Sequence, residues 1–185
     1  GNYSGESYVV FGSATSPGAS LNLSDLNGTN GFIIHGIDEF DQSGGSVSSA
    51  GDINGDGFDD LLIGAFRADP SGNSNAGESY VIFGSAAANS TVFELSSLDG
   101  ANGFTITGID PTDYSGRSVS AAGDVNGDGF DDIIIGANFA DPSGNDRAGE
   151  SYVIYGSASG PGASIDLSIL DGTNGFVING IDSFG

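Results

Sequence analysis

Asp52-Ile53-Asn54-Gly55-Asp56-Gly57-Phe58-Asp59-Asp60 returns 72 residues later as Asp124-Val125-Asn126-Gly127-Asp128-Gly129-Phe130-Asp131-Asp132. Oxygen-bearing side chains stand at positions 52, 54, 56 and 60 of the first copy, and glycines punctuate the loop. That pattern describes a chain that curls tightly and turns its oxygens toward a common point, the arrangement a hard cation requires. Because the loop recurs in one register, it belongs to a repeating structural unit.

The repeat extends well beyond the nonapeptide. Gly5-Glu6-Ser7-Tyr8-Val9-Val10-Phe11-Gly12-Ser13 recurs at 77–85 and 149–157, and Gly31-Phe32 with Gly36-Ile37-Asp38 recurs at 103–110 and 175–182. Residues 44–60 and 116–132 differ at three positions only. Within one unit four short segments read as strands: 118–122, 133–135, 151–155 and 176–178. Glycine-rich turns separate them. The segments at Leu23–Leu26, Leu95–Leu98 and Leu167–Leu170 are long enough for one helical turn each, and no amphipathic helix is predicted.

Four strands per unit in tandem predict an all-β fold of β-propeller-type, four-stranded antiparallel blades. The first strand is almost all Ser, Ala, Val and Gly, as the taper of a blade toward a central axis demands. The second, Leu61-Leu62-Ile63, is continuously apolar, which suits burial on both faces. About two and a half blades are expected: residues 1–40 as the outer two strands of a half blade, then full blades at 41–112 and 113–185, each with a cation loop. The free edge of the half blade predicts that the chain continues, or meets further copies head to tail.

The chain has 25 acidic residues against three arginines and no lysine, a net charge of -22. Such a charge opposes binding to nucleic acid or anionic lipid. No apolar stretch approaches the ~20 residues of a membrane span, so membrane insertion is not expected. The chain opens on Gly1-Asn2-Tyr3 without a signal peptide, which reads as mature or excised material. There is no cysteine, so stability must come from packing, metal or both.

On these residues the chain resembles the FG-GAP repeats of the integrin α-subunit propeller and their bacterial relatives. The matching residues are Tyr114, Gly116, Ser118-Val119, residues 123–129, residues 133–137 and residues 152–156. The proline of the family's Gly-Ala-Pro is replaced by Phe66 in one copy and Asn138 in the other. The resemblance implies propeller blades, calcium in the acidic loops and an adhesive or architectural role outside the cell.

For the loops, the expected cation is Ca²⁺ at two sites. The candidate ligands are the side chains of Asp52, Asn54 and Asp56, the carbonyl of Phe58, and Asp60; in the second loop they are Asp124, Asn126, Asp128, Phe130 and Asp132. The spacing matches positions 1, 3, 5, 7 and 9 of an EF-hand loop, while position 12 is Ile63 rather than a bidentate Glu. Asp60 must then close the cage, as the resemblance also implies. Mg²⁺ fits less well because it demands a stricter octahedron, and Zn²⁺ lacks Cys and nearby His. Alternation points Asp59 and Asp131 away from the ion.

Other polar residues carry weaker signals. His35 is the only histidine, and its repeat partners are Thr107 and Asn179, so a rim position is expected. Arg67, Arg117 and Arg147 have no arginine in the paired copy, and local salt bridging is the expectation for each. The Glu6, Glu78, Glu150 series reads as structural. Four Asn-x-Ser/Thr matches, at Asn2, Asn22, Asn27 and Asn89, arise readily in so polar a chain. No catalytic site is predicted, so the chain is not expected to be an enzyme. The leading reading is a calcium-binding extracellular or cell-surface repeat module with a structural or adhesive role, its partners further repeats, other copies, or a protein or glycan ligand. The alternatives are a carbohydrate-binding propeller, marked by rim aromatics such as Phe40, Phe66, Tyr114 and Phe184, and a non-catalytic accessory domain of a secreted hydrolase.

Overall fold

A computed structural model describes residues 3–14, 18–86 and 90–183. Asn2, Asn89 and Phe184 lie outside the described residues. Twelve strands are found among those described: β1 (Glu6–Val10), β2 (Gly31–His35), β3 (Ser46–Gly51), β4 (Asp60–Ala65), β5 (Glu78–Ile82), β6 (Val92–Glu94), β7 (Gly103–Thr107), β8 (Ser118–Gly123), β9 (Asp132–Ala137), β10 (Glu150–Ile154), β11 (Ser164–Asp166) and β12 (Gly175–Asn179). The leucine segments form single 3-10 turns at Leu23–Asp25, Leu95–Ser97 and Leu167–Ile169.

The strands form three propeller-type sheets. One full blade runs β3-β4-β5-β7 and the next β8-β9-β10-β12, each antiparallel throughout, while β1 and β2 pair antiparallel as the third. Four strands per blade is not the whole of it. β6 adds to the outer edge of β2, and β11 to the outer edge of β7, both in parallel. Each lies in the connection between the outer two strands of its own blade and reaches back to the preceding one. Residues 20–22, which match β6 by the 72-residue offset, have no preceding outer strand in this chain and form none.

The blades are held by apolar side chains that their strands place face to face. Leu62, Val81, Phe104 and Ile106 of one blade bury against Val119, Ile133, Ile135 and Tyr152 of the next. A second cluster joins Phe32 and Ile34 to Ile63, Tyr80 and Ile82. The backbones approach closely here: a Cβ at Gly64 would stand 2.1 Å from the carbonyl oxygen of Gly116, so only glycine fits. The innermost strands also meet, with Val119 N–H donating to Ser46 Oγ at 3.1 Å.

The glutamate series serves the core. Glu78 accepts the hydroxyl of buried Tyr80 at 2.6 Å, Glu150 takes buried Tyr152 in the same way, and Glu6 takes Tyr8, which is exposed on the open first sheet. A buried phenol needs such a partner.

Candidate metal centre

Each acidic nonapeptide links the inner strand of a full blade to the next strand out, β3 to β4 and β8 to β9. Glycine shapes the turn, with φ of 75° at Gly55 and 91° at Gly57, values that favour residues without a Cβ. The loop's own amides then gather its oxygens. Asp56 N–H donates to Asp52 Oδ1 at 3.0 Å and to Asn54 Oδ1 at 2.9 Å. Gly57 N–H donates to Asp52 Oδ2 at 2.9 Å, and Phe58 N–H to Asp56 Oδ1 at 2.9 Å. The second loop repeats this: Asp128 N–H reaches Asp124 Oδ1 and Asn126 Oδ1, and Phe130 N–H reaches Asp128 Oδ1.

Asp60 and Asp132 occupy a different setting. Both are fully buried. The two oxygens of Asp60 accept Ile53 N–H at 3.0 Å and Gly84 N–H at 2.8 Å, and those of Asp132 accept Val125 and Gly156 N–H. Each pins the start of its loop to the end of a neighbouring strand. Burial pushes the Asp60 carboxyl up to about 6, with Asp56 and Asp52 adding to the rise and the two amide donors opposing it. A cation nearby would act in the opposite sense.

The donor set suits a hard cation: carboxylate oxygens from Asp52 and Asp56, an amide oxygen from Asn54 and the main-chain carbonyl of Phe58 are of the type Ca²⁺ prefers. Among the described residues, no group of three or more His, Asp or Glu side chains forms a metal cluster by itself. The side-chain amide of Asn54 instead donates to Asp56 Oδ2 at 3.1 Å, and that of Asn126 to Asp128 Oδ2 at 2.7 Å. These amides sit among the same oxygens a cation would draw together.

Sequence reasoning missed how the two loops touch. Asp131 does not stand idle: its Oδ2 accepts Asp52 N–H at 2.9 Å, and its own N–H reaches Asp52 O at 3.3 Å. The ring of Phe130 lies against Gly55, where a Cβ would come within 2.5 Å of it. Ser157 N–H donates to Ile53 O at 2.9 Å. One loop is therefore a wall of the other.

The arginines also depart from expectation. None of the three forms a salt bridge among the described residues; the single ion pair there joins His35 to Glu94 at 3.0 Å on the rim. Arg67 and Arg117 instead lie 5.7 and 4.4 Å from the ring centroid of Phe66, and Arg147 lies 5.2 Å from that of Phe139.

Blades of this topology, each with an acidic loop between its inner strands, define an FG-GAP-type propeller module. Residues 43–82 and 115–154 match the FG-GAP repeat family, and the chain carries two FG-GAP repeats. It is similar to integrin alpha-PS2 of Drosophila melanogaster, 32% identical over 139 residues, which is 73% of this chain and 9% of that protein. It is likewise similar to integrin alpha pat-2 of Caenorhabditis elegans, 34% identical over 119 residues (63% of this chain, 9% of that protein). Integrin alpha-2 of Mus musculus is 34% identical over 94 residues, 51% of this chain and 7% of that protein. The chain thus spans less than a tenth of the length of these relatives. No helix among the described residues is long and apolar enough to cross a membrane.

Proposed function

We propose that this chain is a calcium-binding module of a surface or extracellular protein, non-catalytic, with a structural or adhesive role. Two Ca²⁺ ions are held, one by Asp52, Asn54, Asp56, Phe58 and Asp60 and one by Asp124, Asn126, Asp128, Phe130 and Asp132. The observation that carries this reading is the loop in duplicate, with the oxygens of Asp52, Asn54 and Asp56 already gathered by loop amides. The integrin relatives support the adhesive role. Calcium joins two functions here: it neutralises clustered carboxylates and fixes a loop against which the neighbouring blade packs.

The module is a segment of a blade array with boundaries near 40 and 112, covered at its ends by further repeats or by copies of itself. Phe104 and Ile106 are each 1% exposed beneath the following blade, whereas their repeat partners Phe176 and Ile178 are 39% and 48% exposed. Surfaces that match a buried interface and stand open invite a matching blade.

Titration calorimetry with calcium on the 185-residue chain tests the core of this reading. Two ions per chain are expected. Fewer than two, or no heat at millimolar calcium, would overturn it.

A further inference from the structure

All three arginines of this chain, otherwise devoid of lysine, line one cleft. The cleft encloses about 410 Å³ between the two full blades, and Phe66, Tyr114 and Phe139 form its apolar wall. It lies beyond the C-terminal ends of β4 and β9, whereas the acidic loops lie before their N-terminal ends. A six-residue strand spans roughly 20 Å, so the cleft is a separate site, independent of calcium in the loops.

The cleft is also where the repeat breaks. From 61 to 78 the first full blade matches 133–150 except at two Leu/Ile exchanges and four other positions. Those four are Phe66/Asn138, Arg67/Phe139, Ser74/Asp146 and Asn75/Arg147, and six of these eight residues line the cleft. Gln42/Tyr114 and Gly45/Arg117 add two further cleft residues from the linker. The backbone does not change with them: φ is 56° at both Gln42 and Tyr114, and 52° and 51° at Asn75 and Arg147. The scaffold is copied and the lining is not. Phe66 is buried and packs on Tyr114, so packing accounts for part of the exchange; the three arginines, all exposed, are not fixed by it.

The chemistry of the lining is specific. Phe66, Tyr114 and Phe139 pack tilted and edge-on in series, at 6.0 and 5.3 Å between centroids. Arg67 and Arg117 lie over the Phe66 ring and Arg147 over the Phe139 ring; all three are exposed, and no carboxylate among the described residues pairs with them. Accessible guanidinium groups without a carboxylate partner are suited to bidentate recognition of an oxyanion. The net charge of -22 slows the approach of any anion, but exposed charges beyond ~8 Å are largely screened at physiological salt, so the groups lining the cleft decide binding. Asp141, Asp146 and Asn138, which share the cleft, supply acceptors for hydroxyl groups. Partly exposed Phe139 offers an apolar surface for a ring.

We propose that this cleft binds an acidic saccharide, with a carboxylate or sulfate held by Arg67, Arg117 and Arg147 and the sugar hydroxyls by the polar rim. A saccharide brings several hydroxyl donors to the rim of Asp141, Asp146 and Asn138, whereas an acidic peptide brings only its backbone amides, so the saccharide is favoured.

The test is calorimetric titration of the 185-residue chain, in fixed millimolar calcium, with trigalacturonate, sulfated galactotriose, plain galactotriose and triglutamate. At least one of the two charged saccharides should bind ten or more times tighter than the neutral sugar and than triglutamate; which one does identifies the anion. Arg117→Gln should weaken that ligand at least tenfold with an unchanged melting temperature, and Arg147→Gln should do the same. Arg117→Lys, which keeps the charge but loses the planar fork, should recover only part. No binding at millimolar ligand, equal binding of the neutral sugar or of triglutamate, or undiminished binding by both glutamine variants would overturn the proposal.

Discussion

Asp131 of one acidic loop accepts the backbone N–H of Asp52 in the other, at 2.9 Å. Gly51 makes the contact possible, since a Cβ there would stand 2.2 Å from the same carboxylate oxygen. The first residue of one cage is thus held by a side chain of the next. Asp59, at the matching position of the first loop, has no preceding acidic loop in this chain to hold and is exposed.

Asp131→Ala should therefore lower stability by about 1–2 kcal/mol, the loss expected for a part-buried hydrogen bond to a charged group. Asp59→Ala should stay within about 0.5 kcal/mol of the parent, as surface substitutions do. Urea unfolding at saturating calcium measures both, and equal effects would contradict the bridge.

The ligand assignment gives a sharper expectation. Asp52→Ala or Asp56→Ala should remove one calcium and leave the loop at 124–132 able to bind. Calorimetry on each variant should count one ion, and two ions in Asp56→Ala would show the assignment to be wrong.

Acid should act through a different pair of residues. Asp41 and Asp113 are buried, and burial, first, then the neighbouring charges of Asp38 and Glu78 or of Asp110 and Glu150, pushes each carboxyl up to about 6. With an ordinary value of 3.8, the folded state holds more protons than the unfolded one between about pH 4 and 6. These groups cost the fold nothing below that window, where both states are protonated, and oppose folding above it, where the buried carboxylates are charged. Asp113→Asn should raise the melting temperature at pH 7.5 and raise it distinctly less at pH 4.5. A gain of equal size at both values would contradict this.

The open blade face predicts association. Phe176 and Ile178 should drive contact between copies of the 185-residue chain, so Ile178→Asp should lower the mass seen by light scattering without unfolding the blade. A parent chain that is a folded monomer at micromolar concentration would refute it.

Much of this was legible in the sequence. The repeat offset located every blade strand to within about two residues, because glycine turns bracket each one, and it located both acidic loops between the inner strands of the full blades. The parallel strands Val92–Glu94 and Ser164–Asp166 were not legible. Three residues are too short to show an alternating pattern, and their partners lie about 60 residues away in the preceding blade. The arginine cleft was hidden for a related reason. Arg67, Arg117 and Arg147 come together only when two blades stand side by side, and each alone reads as a surface charge. The contact of Asp131 with Asp52 was not legible because alternation considers only the ion in its own loop and not the backbone of the next.

Calcium binding by the folded loops is tested most directly by thermal melting of the 185-residue chain in excess chelator and in millimolar calcium. Two bound ions would change the net charge from -22 to -18 and bind the folded state alone. Mass action then adds about 2.7 kcal/mol per site at a hundredfold excess over the dissociation constant. The melting temperature should be several degrees higher with calcium, and the upward shift should grow with calcium concentration. A midpoint that is the same in chelator and in calcium would contradict calcium binding by these loops.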